Sequence, residues 1–399
     1  MTRRLEIIDG SDPAGVEAAL RTALANDGPA ILPRDRAAVV AALLQREQAL
    51  GDPSVVHDAP LPREVSRAVA LVIETSGSSG VPKRVALSAD ALLASAAASE
   101  VALGGPGQWL LALPTHYIAG VQVLVRSIAA GTRPVLQPAG HFSAQVFAEA
   151  AAGLDAPLRY TSLVPAQLAR VVAAAQADPG IRRAAARFDG ILVGGQALPA
   201  PLHHEAQELG LTVVRTYGSS ETAGGCVYDG RPIGRTLARV NEGEIELSGP
   251  TLAEGYLGDE ELTARKFRAE HGVRWYRTDD GGTVLDGIVS ITGRLDNVII
   301  SGGVKVSLDR VERIVQSQFG FEQAVVVGRP SEEWGQVSVV VTDGEVPGSA
   351  LERIRSAVVD QAGRAASPAE IVRMERLPRL SSGKPDRLAI ASWLQAVAG

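Results

Sequence analysis

An α/β protein, with a large N-terminal domain of helix-flanked β-sheets and a small α+β C-terminal domain, is predicted by three observations. Short apolar runs alternate with segments of helical periodicity as far as Gly218. From Gly243 the texture changes to short strands separated by turn residues, and after Gly303 a compact mixture of helices and strands follows. The chain, at 399 residues, exceeds the usual size of one domain, and its 46% hydrophobic and 21% charged content is ordinary for a globular protein.

The elements follow in order. Apolar residues recur at helical spacing over 16–25 and 36–50, whereas AVALVIET and GQWLLALP are short runs bounded by glycine or proline and read as strands. Helices at 89–103, 120–130, 144–152, 165–175 and 199–209 then alternate with strands at RPVLQ, YTSLV, GILVGG and TVVRTYG. Such alternation implies a parallel sheet covered by helices. The alanine-rich stretches 91–98 and 148–152 are helix interiors, because alanine has the highest helix propensity. GEIELSGP, RWYRTDDGGTVLDGIVSITG and NVIISGG form an antiparallel patch. Beyond it come a helix at 307–318, strands EQAVVVGR and GQVSVVVTD, a helix at 349–365 and the tail LPRLSSGKPDRLAI. The boundary between domains is expected at 295/296, leaving a second domain large enough to fold alone.

A net charge of −6 carries no basic excess, so composition gives no support for nucleic acid or for a polybasic membrane contact. The single cysteine, Cys226, excludes an intramolecular disulfide and fits a reducing, cytoplasmic setting. The opening MTRRLEIIDG lacks the apolar core of a secretory signal, and no run approaches the roughly 18 to 20 apolar residues that span a bilayer.

Five polar stretches remain. TSGSSGVPK, residues 75–83, has the glycines and hydroxyls of an anion-binding loop, but Val81 and Pro82 separate Gly80 from Lys83, which rules out a Walker phosphate loop. By itself it reads more readily as a plain surface loop. TYGSSETAGG follows an apolar strand, the place where ligands bind in parallel sheets, or else is a polar turn. YRTDDGG places Asp279 and Asp280 in a turn, GRLDNVIISGG carries Arg294, Asp296, Gly302 and Gly303, and SSGKPDR sets Lys384 in a loop.

In this order the five stretches resemble the adenylate-forming superfamily of acyl-CoA synthetases, luciferases and peptide-synthetase adenylation domains. The similarity runs from Ala68 to the C-terminus. Connecting stretches such as LPTHYIAGVQVLVRSIAAG, YTSLVPAQLARVV and ILVGGQALP are most similar to the o-succinylbenzoate–CoA ligases within it. The resemblance implies an ATP- and acyl-binding domain over 1–295 and a mobile domain over 296–399 bearing the catalytic lysine. ATP, Mg2+ and CoA are the implied cofactor and cosubstrates, a small carboxylic acid the substrate, and a homodimer a common assembly.

Carried over residue by residue, Thr75, Ser76, Gly77, Ser78, Ser79, Gly80 and Lys83 would hold phosphates. Gly195, Tyr217 and Gly218 would border adenine, and Ser220 would contact phosphate. Glu221 would bind magnesium, and Asp280 with Arg294 would hold the ribose. Asp296 would be the hinge, Gly302 and Gly303 would line a CoA channel, and Lys384 would bridge the attacking carboxylate and the α-phosphate. His116, Tyr117 and Arg126 would line the acyl pocket, with His116 either catalytic or structural and Arg126 either facing the substrate or sitting on a polar helix face. Amino-acid-activating members carry an aspartate after the aromatic residue where this chain has Ile118 and Ala119, so a substrate without an ammonium group is expected. The chain departs from the family at Arg84 and Asp279, where glycine is usual, and at Asn297, where aspartate is usual.

Overall fold

The computed structural model describes residues 1–35, 61–75, 82–138, 140–379 and 384–398. The helix expected at 36–50 lies outside them. The chain forms two compact units, one of residues 1–195, 205–238 and 247–277, the other of residues 196–204, 239–246 and 278–399.

The first unit holds two sheets. In one, β1 (Thr2–Asp9), β2 (Ala30–Arg34) and β4 (Val69–Thr75) are parallel, while β3 (Glu64–Ser66) and β5 (Lys83–Ser88) add antiparallel at the two sides. β1 is absent from the periodicity because TRRLEIID mixes charge with apolar residues along its whole length; pairing Leu5 to Asp9 with residues 30–34 makes it a strand. In the other sheet β6 (Gln108–Leu111), β7 (Val135–Leu136), β8 (Arg159–Leu163), β9 (Gly190–Val193) and the start of β10 (Val213–Ser219) are parallel, as expected from the alternation. β11 (Gly224–Tyr228) and β12 (Arg231–Pro232) complete it antiparallel. Every residue of β9 is buried, as a parallel strand with both faces covered requires.

The helices α1 (Pro13–Leu24), α2 (Ala89–Ala102) and α3 (Ile118–Ala129) pack into the main core through Val16, Leu20, Leu92, Val121, Leu124 and Val125. Ser88 caps α2, its Oγ accepting from the Ala91 N–H at 3.3 Å.

Next along the chain come β13 (Leu237–Asn241), β14 (Glu244–Ser248), β15 (Gly255–Tyr256), β16 (Phe267–Glu270) and β17 (Val273–Leu285). The second unit carries a hairpin of β18 (Ile288–Arg294) against residues 280–285 of β17, then a sheet in which β19 (Val298–Ser301), β20 (Val304–Ser307), β21 (Val325–Ser331) and β22 (Gly335–Thr342) are antiparallel and β23 (Glu370–Arg373) is parallel to β22. Side chains alternate across this sheet. Val326 and Val340 face a core with α9 (Leu308–Gln316) and α10 (Ala350–Ala362), which follow α4 (Ala144–Ala151), α5 (Pro165–Ala177), α6 (Pro179–Ala185), α7 (Ala200–Glu208) and α8 (Glu260–Lys266) in the chain. Val325, Val327, Val339 and Val341 face Ile390 and Leu394 of α11 (Arg387–Ala398) on the other side. The tail, to which the sequence reading assigned no helix, is helical from Arg387, because an apolar sheet face requires a cover. No helix among the described residues is long and apolar enough to cross a membrane.

Candidate active site

In the first unit, β10 runs into a single 3-10 turn, Ser220–Thr222, at the end of the parallel strands. A side chain at Gly218 would meet the Gly224 carbonyl at 2.2 Å, so only glycine allows β10 and β11 to approach this closely. Ser220 and Glu221 are buried. The Glu221 carboxylate accepts from the Tyr256 hydroxyl at 2.8 Å, and its carbonyl accepts from the Ala253 N–H at 2.8 Å, so the side chain is held from both ends. Burial, reinforced by Glu221, pushes the neighbouring Tyr276 phenol well above its ordinary range. Tyr217 is half-buried on β10, and Gly195 is exposed in a left-handed turn after β9.

Ala223, directly after the 3-10 turn, has φ of 51°, a conformation costly for a residue with a Cβ. Its carbonyl accepts from Ser95 Oγ at 2.9 Å and from Gln122 Nε2 at 2.7 Å, which together hold the strained turn in place.

The stem of the glycine/serine loop is a cross-strand ladder in which Thr75 pairs with Lys83 and Glu74 with Arg84. Glu74 also takes a two-pronged contact from Arg34, while Arg84 Nε reaches it at 3.2 Å. Arg84, unusual for the family, thus has a structural reason: it is the buried cross-strand partner of a carboxylate. Ser76, Gly77, Ser78, Ser79 and Gly80 lie outside the described residues.

His116 and Tyr117 precede α3, with ring centroids 4.2 Å apart. Both imidazole nitrogens are buried without a hydrogen-bond partner, and burial pushes the ring below its ordinary pKa, with Asp35 pulling in the opposite direction. Arg126, one turn beyond Gln122 on the same helix, is 6% exposed, which removes the alternative of a solvated helix face. Its Nη2 donates to the Tyr228 hydroxyl at 3.5 Å, its guanidinium lies 4.8 Å from the centre of the Trp109 ring, and its Nε is unpaired. Among the described residues no carboxylate pairs with it, although Glu100 lines the same small recess. Burial lowers its pKa, partly opposed by Tyr228.

Gln122, Ser99, Trp109 and Tyr228 were not singled out from the sequence. A signal did exist: Gln122 and Arg126 stand four apart in the otherwise apolar IAGVQVLVRSIA, and Ser95 and Ser99 four apart in an alanine-rich helix, each pair on one face.

The turn expected at Asp279 and Asp280 is instead part of the strand Val273–Leu285, because pairing with residues 288–294 draws this segment into a hairpin. In the second unit Asp280 faces Arg294 across that hairpin, with Nη1 to Oδ1 at 3.9 Å. Arg294 also grips Asp296 with two bonds of 2.9 and 2.7 Å and reaches Asp279 at 3.4 Å. Hydrogen bonding to Asp296 raises its pKa further despite partial burial. Asp279, where the family has glycine, has φ of 61°, and aspartate is among the residues that tolerate this left-handed region.

The third departure is also legible: Asn297 Nδ2 donates to Asp309 Oδ1 at 2.6 Å, a bond an aspartate cannot make. Asn297→Asp is expected to destabilise this unit by about 1 kcal/mol at pH 7, with a deficit that shrinks as pH falls through the carboxylate range and one acid regains a proton to donate. Chemical denaturation at pH 7 and at about pH 3, below the ordinary carboxylate pKa, measures this.

Gly302 and Gly303 form the turn between β19 and β20, both with positive φ; a side chain at Gly302 would meet the Trp334 ring at 2.8 Å. Lys384 is exposed, next to the bridge between Arg379 and Pro385 and just before α11. The base of this segment is anchored by Arg387, which donates to the partly buried Glu312 at 2.6 Å and to the Val326 carbonyl at 3.0 Å.

The family described as "AMP-binding enzyme" matches residues 11–257, and the family described as "AMP-binding enzyme C-terminal domain" matches residues 310–384. A protein of Mycobacterium tuberculosis named "Probable 2-succinylbenzoate--CoA ligase" is 39% identical over 396 residues, covering 97% of each chain. The 2-succinylbenzoate–CoA ligase of Escherichia coli K12 is 30% identical over 334 residues, covering 80% of this chain and 68% of that one. Among solved structures, the O-succinylbenzoate Coenzyme A Synthetase (MenE) from Bacillus subtilis in complex with AMP is similar with TM-score 0.69 and 25% identity, covering 82% of this chain and 70% of that one. ATP-bound MatB from Rhodopseudomonas palustris shares the fold, with TM-score 0.77 at 18% identity over 100% of this chain and 90% of that one. The chain therefore belongs to the AMP-binding enzyme family and closely resembles its 2-succinylbenzoate–CoA ligases.

Proposed function

We propose that this protein is an AMP-forming acid–thiol ligase that converts 2-succinylbenzoate, CoA and ATP to the acyl-CoA, AMP and pyrophosphate. The observation that carries the substrate assignment is Arg126, a buried guanidinium with an unpaired Nε and no carboxylate partner among the described residues. Burying an unmatched cation costs several kcal/mol, and a dicarboxylic acid supplies the match with the carboxylate that does not react. The names of the relatives point to the same acid.

The reaction has two displacements. The substrate carboxylate oxygen forms a bond to the α-phosphorus while the bond to pyrophosphate breaks. The CoA sulfur then bonds to the acyl carbon, its proton is released and AMP leaves. Positioning and charge stabilisation dominate such chemistry. In this reading Thr75, Lys83 and the loop between them hold the phosphates, and Ser220 assists. Tyr217, Gly218 and Gly195 border the adenine. Asp280 accepts from the ribose hydroxyls with Arg294 beside it. Lys384 spans the attacking carboxylate and the α-phosphate.

His116, neutral by virtue of burial, keeps the mouth of the acyl pocket dry and orients the reacting carboxyl by donating one N–H. Glu221 fits a magnesium site: a fixed carboxylate is the single hard ligand such an ion takes from protein when phosphates and waters supply the rest. Magnesium would supply neutralisation of polyphosphate charge. Between the two displacements the domain 296–399 turns about Asp296, withdrawing Lys384 and presenting Gly302 and Gly303 to the pantetheine. The setting is cytoplasmic and the assembly a homodimer.

A pyrophosphate-release screen across aromatic mono- and dicarboxylic acids, with and without CoA, tests the assignment. Fastest turnover is expected with 2-succinylbenzoate, and acyl-CoA as product. Equal turnover with benzoate, or release to a carrier-protein thiol but not to CoA, sinks it.

A further inference from the structure

The buried side chains around Arg126 form a chain whose hydrogen-bond directions can be assigned. Ser99 Oγ lies 2.9 Å from the Ser95 carbonyl, which can only accept, so the single Ser99 hydroxyl proton is committed there. The Tyr228 hydroxyl lies 2.8 Å from the same Ser99 Oγ and must therefore donate to it. With its proton committed, the Tyr228 oxygen presents lone pairs, and Arg126 Nη2 donates to one of them at 3.5 Å. Arg126, Tyr228, Ser99 and Ser95 thus run as one donor-to-acceptor sequence that ends on a backbone carbonyl, and all four are buried.

The consequence is a guanidinium oriented but not neutralised. Trp109 takes one face of it, at 4.8 Å from the ring centre, and Tyr228 takes one Nη hydrogen. Nε remains unpaired. A carboxylate in the place of Tyr228 would cancel the charge; a neutral phenol whose hydrogen is committed to Ser99 orients the guanidinium and leaves its positive charge for a ligand.

We infer that Tyr228, aimed by Ser99, is a positioning residue that sets selectivity for a substrate with a second anionic group by holding Arg126 for the unreacted carboxylate. This deepens the assignment above and rests on Arg126 meeting the substrate. Ser99 and Tyr228 are separated by 129 positions in sequence, so the role belongs to the fold rather than to a motif.

The test is the ratio of kcat/KM for 2-succinylbenzoate to that for an aromatic monocarboxylate of similar size, measured in the full-length enzyme. A purely structural defect lowers both values together and leaves the ratio in place. Tyr228→Phe removes only the hydroxyl and is expected to lower the ratio about tenfold, mainly through KM for the dicarboxylate, in keeping with one hydrogen bond to a charged group. Ser99→Ala releases the Tyr228 proton from its acceptor and is expected to move the ratio the same way by about threefold, which keeps the inference testable should the phenylalanine variant not fold. Wild-type ratios in both variants, alongside a collapsed ratio in Arg126→Met, overturn the role of Tyr228. A wild-type ratio in Arg126→Met overturns the underlying reading of Arg126 instead.

Discussion

Lys384→Ala abolishes acyl-adenylate formation and largely spares thioester formation from preformed acyl adenylate: this is the expected result with the sharpest division between half-reactions. ATP–pyrophosphate exchange should fall by about 10²- to 10³-fold or more, the scale of losing one preorganised charge at a developing anion. The side chain suits this role, being exposed on a short segment ahead of α11. Its base is fixed by the Arg379–Pro385 bridge and by Arg387 on Glu312. A flexible stem on a pinned base delivers a point charge without reordering the domain. The thioester step has a neutral acyl carbon as its target and AMP as its leaving group, and needs no cation between carboxylate and phosphate. Equal loss in both half-reactions would refute the division.

Arg126→Met lowers kcat/KM for 2-succinylbenzoate by at least about 30-fold, the low end for truncating one member of a buried charge pair. The same substitution leaves the unfolding midpoint unchanged or raises it. The signs differ because in the free protein the guanidinium is a buried charge without a counter-ion among the described residues, so methionine of similar length removes a desolvation cost and keeps the contact with Trp109. With substrate bound, the charge is matched and its removal costs affinity. Steady-state kinetics with a thermal melt reads both signs, and an activity loss accompanied by a large fall in midpoint would mean that Arg126 serves the fold instead.

The parts of this protein that reside in local sequence were legible. GILV and TVVRTYG are strands because an apolar run between helical segments has little else to become, and SSETAGG begins where the second of these strands ends. What escaped depends on pairing partners. TRRLEIID has no clean period and becomes β1 only beside residues 30–34. RLAIASWLQAVA is helical against an apolar sheet face that its own residues do not announce. The family departures changed meaning in the same way: Arg84 is explained by Glu74, Asn297 by Asp309, and Asp279 by a left-handed backbone.

The sequence by itself determined the fold class, the order of the five polar stretches that mark the family, and the absence of a carboxylate beside Tyr117, since each is a matter of residue type and short spacing. Only the tertiary structure decided that Arg126 is buried without a counter-ion among the described residues, and that Ser99 and Tyr228 direct their hydrogen bonds so as to leave its charge in place. The reason is physical: burial and proton direction are properties of contacts between distant segments, and no periodicity along one helix specifies what the next strand places against it.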